Sequence, residues 1–146
     1  MELEKDYREF IQSLNENDVE YLLVGGYAVI HYGYPRLTID MDIWINSSQD
    51  NAMKVYHSLE GFGYPMETIN VNDFSTPDLI FQIGRPPVRI DILTSVEGLS
   101  FDNAFKNRIK VKDKGTEINI IGLDDLKKNK KAVGRHKDLD DLENLQ

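Results

Sequence analysis

The 146-residue sequence contains no cysteine, so neither a disulfide framework nor a cysteine-based zinc site is open to it. It has no apolar run long enough to span a bilayer. Residues 2–9, Glu-Leu-Glu-Lys-Asp-Tyr-Arg-Glu, are too charged for a signal peptide. A cytoplasmic location and no membrane partner are therefore expected. Positive charge is also short: 17 Lys and Arg against 25 Asp and Glu leave a net charge of −8. That balance argues against broad binding to a phosphate backbone, which needs basic residues in excess. Histidine occurs only three times, with no pair at metal-ligand spacing. What is present is ordinary for a folded chain. The length suits one domain over residues 1–146, and 40% hydrophobic residues argue against disorder.

The most informative stretch runs from Gly25-Gly26 to Arg36-Leu37-Thr38-Ile39-Asp40-Met41-Asp42-Ile43-Trp44-Ile45. From Leu37 it alternates strictly, as a strand with one buried face does. Leu37, Ile39, Met41, Ile43 and Ile45 are expected to face the core, and Arg36, Thr38, Asp40 and Asp42 the other side. Aspartate is a poor strand former, and two on one strand face repel each other. A divalent cation between them would relieve the repulsion; a solvated strand face fits the alternation equally well.

In chain order, residues 2–14 have an amphipathic helical pattern through Leu3, Tyr7, Phe10, Ile11 and Leu14. Val19–Val24 predicts a buried strand, ending at Gly25-Gly26 before a short helix over 27–32. Strand, diglycine and helix start can cradle an anion through backbone N–H groups, or can simply make a tight turn. Ser47 is the expected N-cap of a helix using Ala52, Val55, Tyr56, Leu59 and Phe62. Residues 64–78 show no periodicity, which leaves a loop over a site or a plain connection. Strands are predicted at 79–83 and 88–93, joined across Gly84-Arg85-Pro86-Pro87. Asp91 lies opposite Val88, Ile90 and Ile92, where it either joins an acidic site or pairs with Arg89 or Arg85.

Ser100 predicts a capped short helix. Ile109–Lys112 and Glu117–Ile121 predict a hairpin around Asp113-Lys114-Gly115. A helix should follow to Val133, then a last one from Lys137 to Leu145 packed by Leu139, Leu142 and Leu145. Lys127, Lys128, Lys130, Lys131, Arg135, His136 and Lys137 form a basic island: a solvated helix face, or a seat for a small anion or a specific partner. The overall expectation is an α+β chain with a mixed sheet of about five strands and helices packed on it.

Leu-Val-Gly-Gly-Tyr-Ala (23–28), Arg-x-Thr-x-Asp-Met-Asp (36–42), Arg-Ile-Asp-Ile-Leu-Thr-Ser (89–95), Gly-Leu-Asp-Asp-Leu (122–126) and Asn-Lys-Lys-Ala-Val-Gly-Arg-His-Lys-Asp-Leu-x-Asp-Leu (129–142) occur in this order. Together they resemble the nucleotidyltransferase superfamily with the polymerase-β-like fold, and within it the minimal bacterial members grouped with toxin–antitoxin and abortive-infection systems. The resemblance implies Mg²⁺-dependent transfer of a nucleoside monophosphate from an NTP such as ATP to an acceptor hydroxyl. It implies that Asp40, Asp42 and Asp91 are catalytic and hold two Mg²⁺ ions about 3.5–4 Å apart, with Mn²⁺ as a substitute. Asp91 would serve the ion that activates the hydroxyl, or accept its proton. Gly25 and Gly26 would hold phosphates. Lys130, Arg135 and Lys137 would balance the pyrophosphate, and Arg36 and Thr38 would contact triphosphate or orient a carboxylate. Gly26 departs from the pattern, standing where many active relatives carry serine.

The implied acceptor is a protein, an RNA or a small molecule, with a small helical partner protein expected in a toxin–antitoxin setting. Exposed sheet edges would permit a homo-oligomer. The alternatives are an inactive module of the same fold that binds a nucleotide or a protein, and a metal-dependent phosphohydrolase. Trp44, His31, His57 and His136 are expected to be structural.

Overall fold

The computed structural model describes residues 2–85 and 87–145. Six strands form one mixed sheet: β1 (Tyr21–Val24), β2 (Asp40–Ile45), β3 (Ile80–Arg85), β4 (Val88–Leu93), β5 (Ile109–Asp113) and β6 (Thr116–Ile120), in the order β3-β4-β2-β1-β6-β5. The pairs β2–β4 and β1–β6 are parallel and the other three antiparallel. Six helices accompany it: α1 (Lys5–Glu16), α2 (Gly25–His31), α3 (Gln49–Phe62), α4 (Phe101–Lys106), α5 (Leu123–Val133) and α6 (His136–Asn144). The α+β expectation holds. The sheet has six strands because both arms of the 109–120 hairpin join it, through a turn with Lys114 and Gly115 at positive φ, the geometry that matches strand twist across two residues.

The central strands carry the core. All of β1 is buried, as are Met41, Ile43, Trp44 and Ile45 of β2 and Ile90 and Ile92 of β4. Tyr7, Phe10, Ile11 and Leu14 of α1 and Ala52, Val55 and Leu59 of α3 pack over them. Such burial is the main favourable term in folding, about 25 cal/mol per Å² of apolar surface.

Several expectations need correction. β2 starts at Asp40, not Leu37, and Leu37 and Ile39 are 94% and 62% exposed. The ladder with β4 begins at Asp40↔Arg89, so the residues before Asp40 alternate in sequence without a strand to pair with. Leu37→Ser should therefore change stability by less than about 0.5 kcal/mol, the usual range for a surface site, as a denaturant titration would show.

The N-cap of α3 is Ser48, whose side chain accepts from Asn51 N. Asn51 is buried and tied to Glu20 N and O and to Asn46 O, and these bonds fix the start one residue later than Ser47. Residues 64–78 are a packed connection. They bury Ile69 and Phe74 around a capped 3₁₀ turn, Val71–Ser75, and Phe74 lies edge-on to Phe81 at 5.3 Å. β3 continues through Gly84 and Arg85, opposite Arg89 and Val88; of the expected 84–87 connection, Pro86 lies outside the described residues.

The largest departure is α6. The leucines expected to seat it divide: Leu139 is exposed, Leu142 half-buried, and only Leu145, just past the helix, is buried. The helix turns Asp138 and Asp141 inward, at 1% and 0% exposure. No helix among the described residues is long and apolar enough to cross a membrane.

Candidate active site

Strand register assembles the acidic group. The parallel β2–β4 ladder sets Asp42 beside Asp91 and Asp40 beside Arg89, while the antiparallel β1–β2 ladder sets Val24 beside Asp42. The Gly25-Gly26 corner, one residue beyond Val24, therefore abuts the carboxylates. Asp40, Asp42 and Asp91 each offer an oxygen within 4.8 Å of the others, a set that could hold a metal ion. Gly25 has φ +67, and a Cβ there would run into the Asp42 carboxylate. A Cβ on Gly26 would lie 2.6 Å from Thr38 Oγ1 and 2.8 Å from Thr38 Cβ. A serine at position 26 thus has no room: the Thr38 hydroxyl occupies that space and donates to Asp40 O at 3.1 Å.

These residues open onto a cavity of about 370 Å³. Its floor is Asp40, Asp42 and Asp91, and Gly25, Gly26, Arg36, Thr38, Lys130, Arg135 and Lys137 line it too. Every residue singled out in the sequence for metal or nucleotide therefore reaches one cavity. None of the connection 64–78 does.

The electrostatics are those of a site short of positive charge at its floor. Burial, with the Asp40 and Asp91 charges beside it, pushes the Asp42 carboxyl up to about 7, despite Lys130 and Lys137. Burial and Asp91 also raise Asp40, although Arg89 pulls the other way. In the sequence Arg89 stands as a partner for Asp91 that would replace the acidic site, not as part of it. It donates from Nε and Nη2 to the two oxygens of Asp91, both at 3.1 Å, and its Nη2 lies 3.6 Å from Asp40. So Asp91 both pairs with Arg89 and joins the acidic group. The signal was available, since Arg89 and Asp91 stand two apart on one strand face.

The basic island is not a solvated face throughout. Lys130 is buried, with Nζ 2.9 Å from Asp141 and 3.4 Å from Asp138. Arg36 Nη2 donates to Asp141 at 3.0 Å, and its Nε lies 2.8 Å from the other oxygen, off the hydrogen-bonding angle. Arg135 Nε donates to Asp138 at 2.7 Å. Burial works against the Asp138 charge, but the Arg135 bond and the nearby Lys130 hold its carboxyl below the ordinary value. Lys137 has no carboxylate partner among the described residues and is exposed. Three cavity cations are thus held by two carboxylates, and a fourth is uncommitted. Leucine spacing points to the other face of α6, so periodicity does not mark these two carboxylates, although both fall within the 129–142 motif.

None of Trp44, His31, His57 and His136 lines the cavity. Trp44 is buried edge-on against Phe101 of α4 at 5.2 Å, covering a helix. His57 and His136 are exposed, and His31, half-buried at the end of α2, packs on Tyr32.

A family model described as "Nucleotidyl transferase of unknown function (DUF2204)" matches residues 3–146. The fold is similar to the crystal structure of a candidate nucleotidyltransferase (TM1012) from Thermotoga maritima, with a TM-score of 0.65 and 15% sequence identity, covering 94% of this chain and 88% of that one. No curated protein matches the sequence.

Proposed function

The chain belongs to the DUF2204 family of nucleotidyl transferases of unknown function, and we propose that it moves a nucleoside monophosphate from an NTP to a hydroxyl of an acceptor. The observation that carries this reading is the convergence of Asp40, Asp42 and Asp91 beside the diglycine corner, in a cavity with cations along its side. The donor set fits Mg²⁺ or Mn²⁺: three carboxylates, hard oxygen ligands, two of them raised in pKa by burial and then by their neighbours' negative charge. When bound, such ions supply charge neutralisation and a more acidic hydroxyl.

The protein's own groups do the rest. The hydroxyl oxygen forms a bond to the α-phosphorus as the bond from that phosphorus to the bridging oxygen breaks, and pyrophosphate departs with that electron pair. The hydroxyl proton leaves towards Asp91, the third carboxylate of the group. Asp40 and Asp42 hold the metal. The backbone of Gly25 and Gly26 lines the cavity between Asp42 and Thr38, where its N–H groups would meet phosphate oxygens. Lys137, in ion-pair contact with no carboxylate among the described residues, brings charge to the pyrophosphate. Lys130, Arg36 and Arg135 add directed N–H groups, oriented by Asp138 and Asp141. Thr38 fixes the approach to β2 through its bond to Asp40 O.

The test is incubation with each of ATP, CTP, GTP and UTP labelled at the α-phosphate, plus Mg²⁺, with RNA and protein fractions as acceptors. Label transfer with equal release of pyrophosphate supports the reading. NTP-dependent thermal stabilisation without turnover would instead mark a binding module, and release of inorganic phosphate a hydrolase. Asp91→Asn should stop transfer while leaving NTP affinity within about threefold, since losing a proton acceptor acts on the transition state and not on uniform binding. Parallel loss of affinity and transfer would contradict its assigned role.

A further inference from the structure

The acidic group already has a cation of its own. Among the described residues, Arg89 is the one basic side chain in ion-pair contact with Asp40, Asp42 or Asp91. It stands two residues before Asp91 on the same face of β4, beside Asp40 in the β2–β4 ladder. It does not line the cavity, so a ligand there meets it only through the carboxylates. Among the described residues its side chain bonds to these aspartates alone, and the Tyr7 hydroxyl meets only its backbone. It is half-buried, with water on its outer side.

This pairing engages the groups that a metal ion would engage. Arg89 Nε and Nη2 each take one oxygen of Asp91, both at 3.1 Å. In such a fork-to-fork pair each oxygen turns a lone pair to the guanidinium, and an ion sharing both oxygens needs the same two. An ion on one oxygen alone still meets a positive charge at contact range, where salt screens little. Nη2 also lies 3.6 Å from Asp40, so the guanidinium faces two of the three carboxylates that could hold the ion. Arginine keeps its charge at every working pH. It cannot make way by losing a proton; it has to move.

We propose that Arg89 is an internal competitor of the metal ion. It holds Asp91 back, and the ion completes its ligand set by drawing Asp91 off the guanidinium, which turns into the water beside it. The proposal rests on the metal-dependent transfer reading and deepens it: the site is assembled only above a threshold of free metal.

Calorimetric titration with Mn²⁺ at pH 8, without nucleotide, tests this. Arg89→Met should bind Mn²⁺ at least about tenfold more tightly than the wild type, on the scale at which neighbours of metal ligands act. Arg89→Lys, a point charge without the fork, should fall between the two. In an Asp91→Asn background the same Arg89→Met change should gain less than about threefold, because the contested carboxylate is gone. In EDTA, Arg89→Met should melt below the wild type, the three carboxylates having lost their cation. Mn²⁺ should then raise its melting temperature by more than it raises the wild type's. If Arg89 instead positions Asp91 for the ion, Arg89→Met should bind Mn²⁺ about 10- to 100-fold more weakly. That result, an unchanged affinity, a smaller rise in melting temperature, or a full gain in the Asp91→Asn background would each overturn the competition and leave nucleotidyl transfer standing. If neither the wild type nor Arg89→Met binds Mn²⁺, the metal-dependent reading falls with it.

Discussion

Asp42→Asn should reduce nucleotidyl transfer by at least about a thousandfold, a loss of the size seen when a preorganised charge-stabilising group is removed, and should stabilise the metal-free protein at pH 8. The two effects share a cause. Asp42 is held among Asp40 and Asp91 at a strand position set by its register with Asp91 and Val24. Burial, and then those two charges, lift its carboxyl from 3.8 to about 7. The sign follows from proton counts. Between pH 4 and 7 the folded state holds a proton that the unfolded state has released, so stability falls as pH rises through this window, and above about 7 the loss is complete. Its size is on the order of 4 kcal/mol. Asparagine keeps the shape and removes the charge, so the metal-free variant should melt higher than the wild type at pH 8 and about equally at pH 4. Mg²⁺ should raise the wild-type melting temperature, most at pH 8, where no proton competes, and do little for the variant. Melting curves in EDTA and in Mg²⁺ at the two pH values measure all of this. A variant less stable than wild type in EDTA at pH 8 would mean that Asp42 is compensated after all.

This trade of stability for a charged site explains why the site was legible in the sequence. Asp40, Asp42 and Asp91 interrupt strand patterns that would be more stable without them, and parity along a strand is independent of tertiary detail. Once Asp42 and Asp91 were each assigned to the face away from the core, parallel pairing of their strands was enough to bring them together. The diglycine was legible for a similar reason, since only glycine permits a backbone to pass so near a carboxylate at positive φ.

What sequence could not supply was partnership. Leu37 and Ile39 continue the β2 alternation but lie beyond the first rung of the β4 ladder, and nothing in their own identity marks that boundary. On α6 the leucines and the aspartates repeat at the same spacing of three, one position apart, so periodicity marks two competing faces. Hydrophobicity favours the leucine face. Lys130 and Arg36, from α5 and from the segment before β2, decide for the aspartates, and they do so only once the chain is folded. Arg89 is a similar case: its spacing from Asp91 was visible, but its reach to Asp40 depends on the β2–β4 register.

Asp141→Ala is accordingly the substitution expected to destabilise the fold most, by about 3–5 kcal/mol, the range for breaking a buried ion pair from one side. Asp141 is fully buried, and the Arg36 and Lys130 side chains that it holds are 14% and 6% exposed. Removing the anion leaves one guanidinium and one ammonium group out of water with one buried carboxylate, Asp138, near only the ammonium. Arg36 would be the more severely orphaned, since Lys130 keeps its 3.4 Å contact to Asp138. Arg36→Met combined with Asp141→Leu should therefore recover much of the lost stability, because an apolar pair replaces the pair from both sides. It should not recover NTP binding, because a cavity cation and its orientation are both gone. Urea unfolding of the two variants, with tripolyphosphate affinity measured on each, separates these effects. A loss below about 1 kcal/mol for Asp141→Ala, the level of an exposed ion pair, would show that α6 is held by its leucines and that Asp141 does not organise the cationic wall.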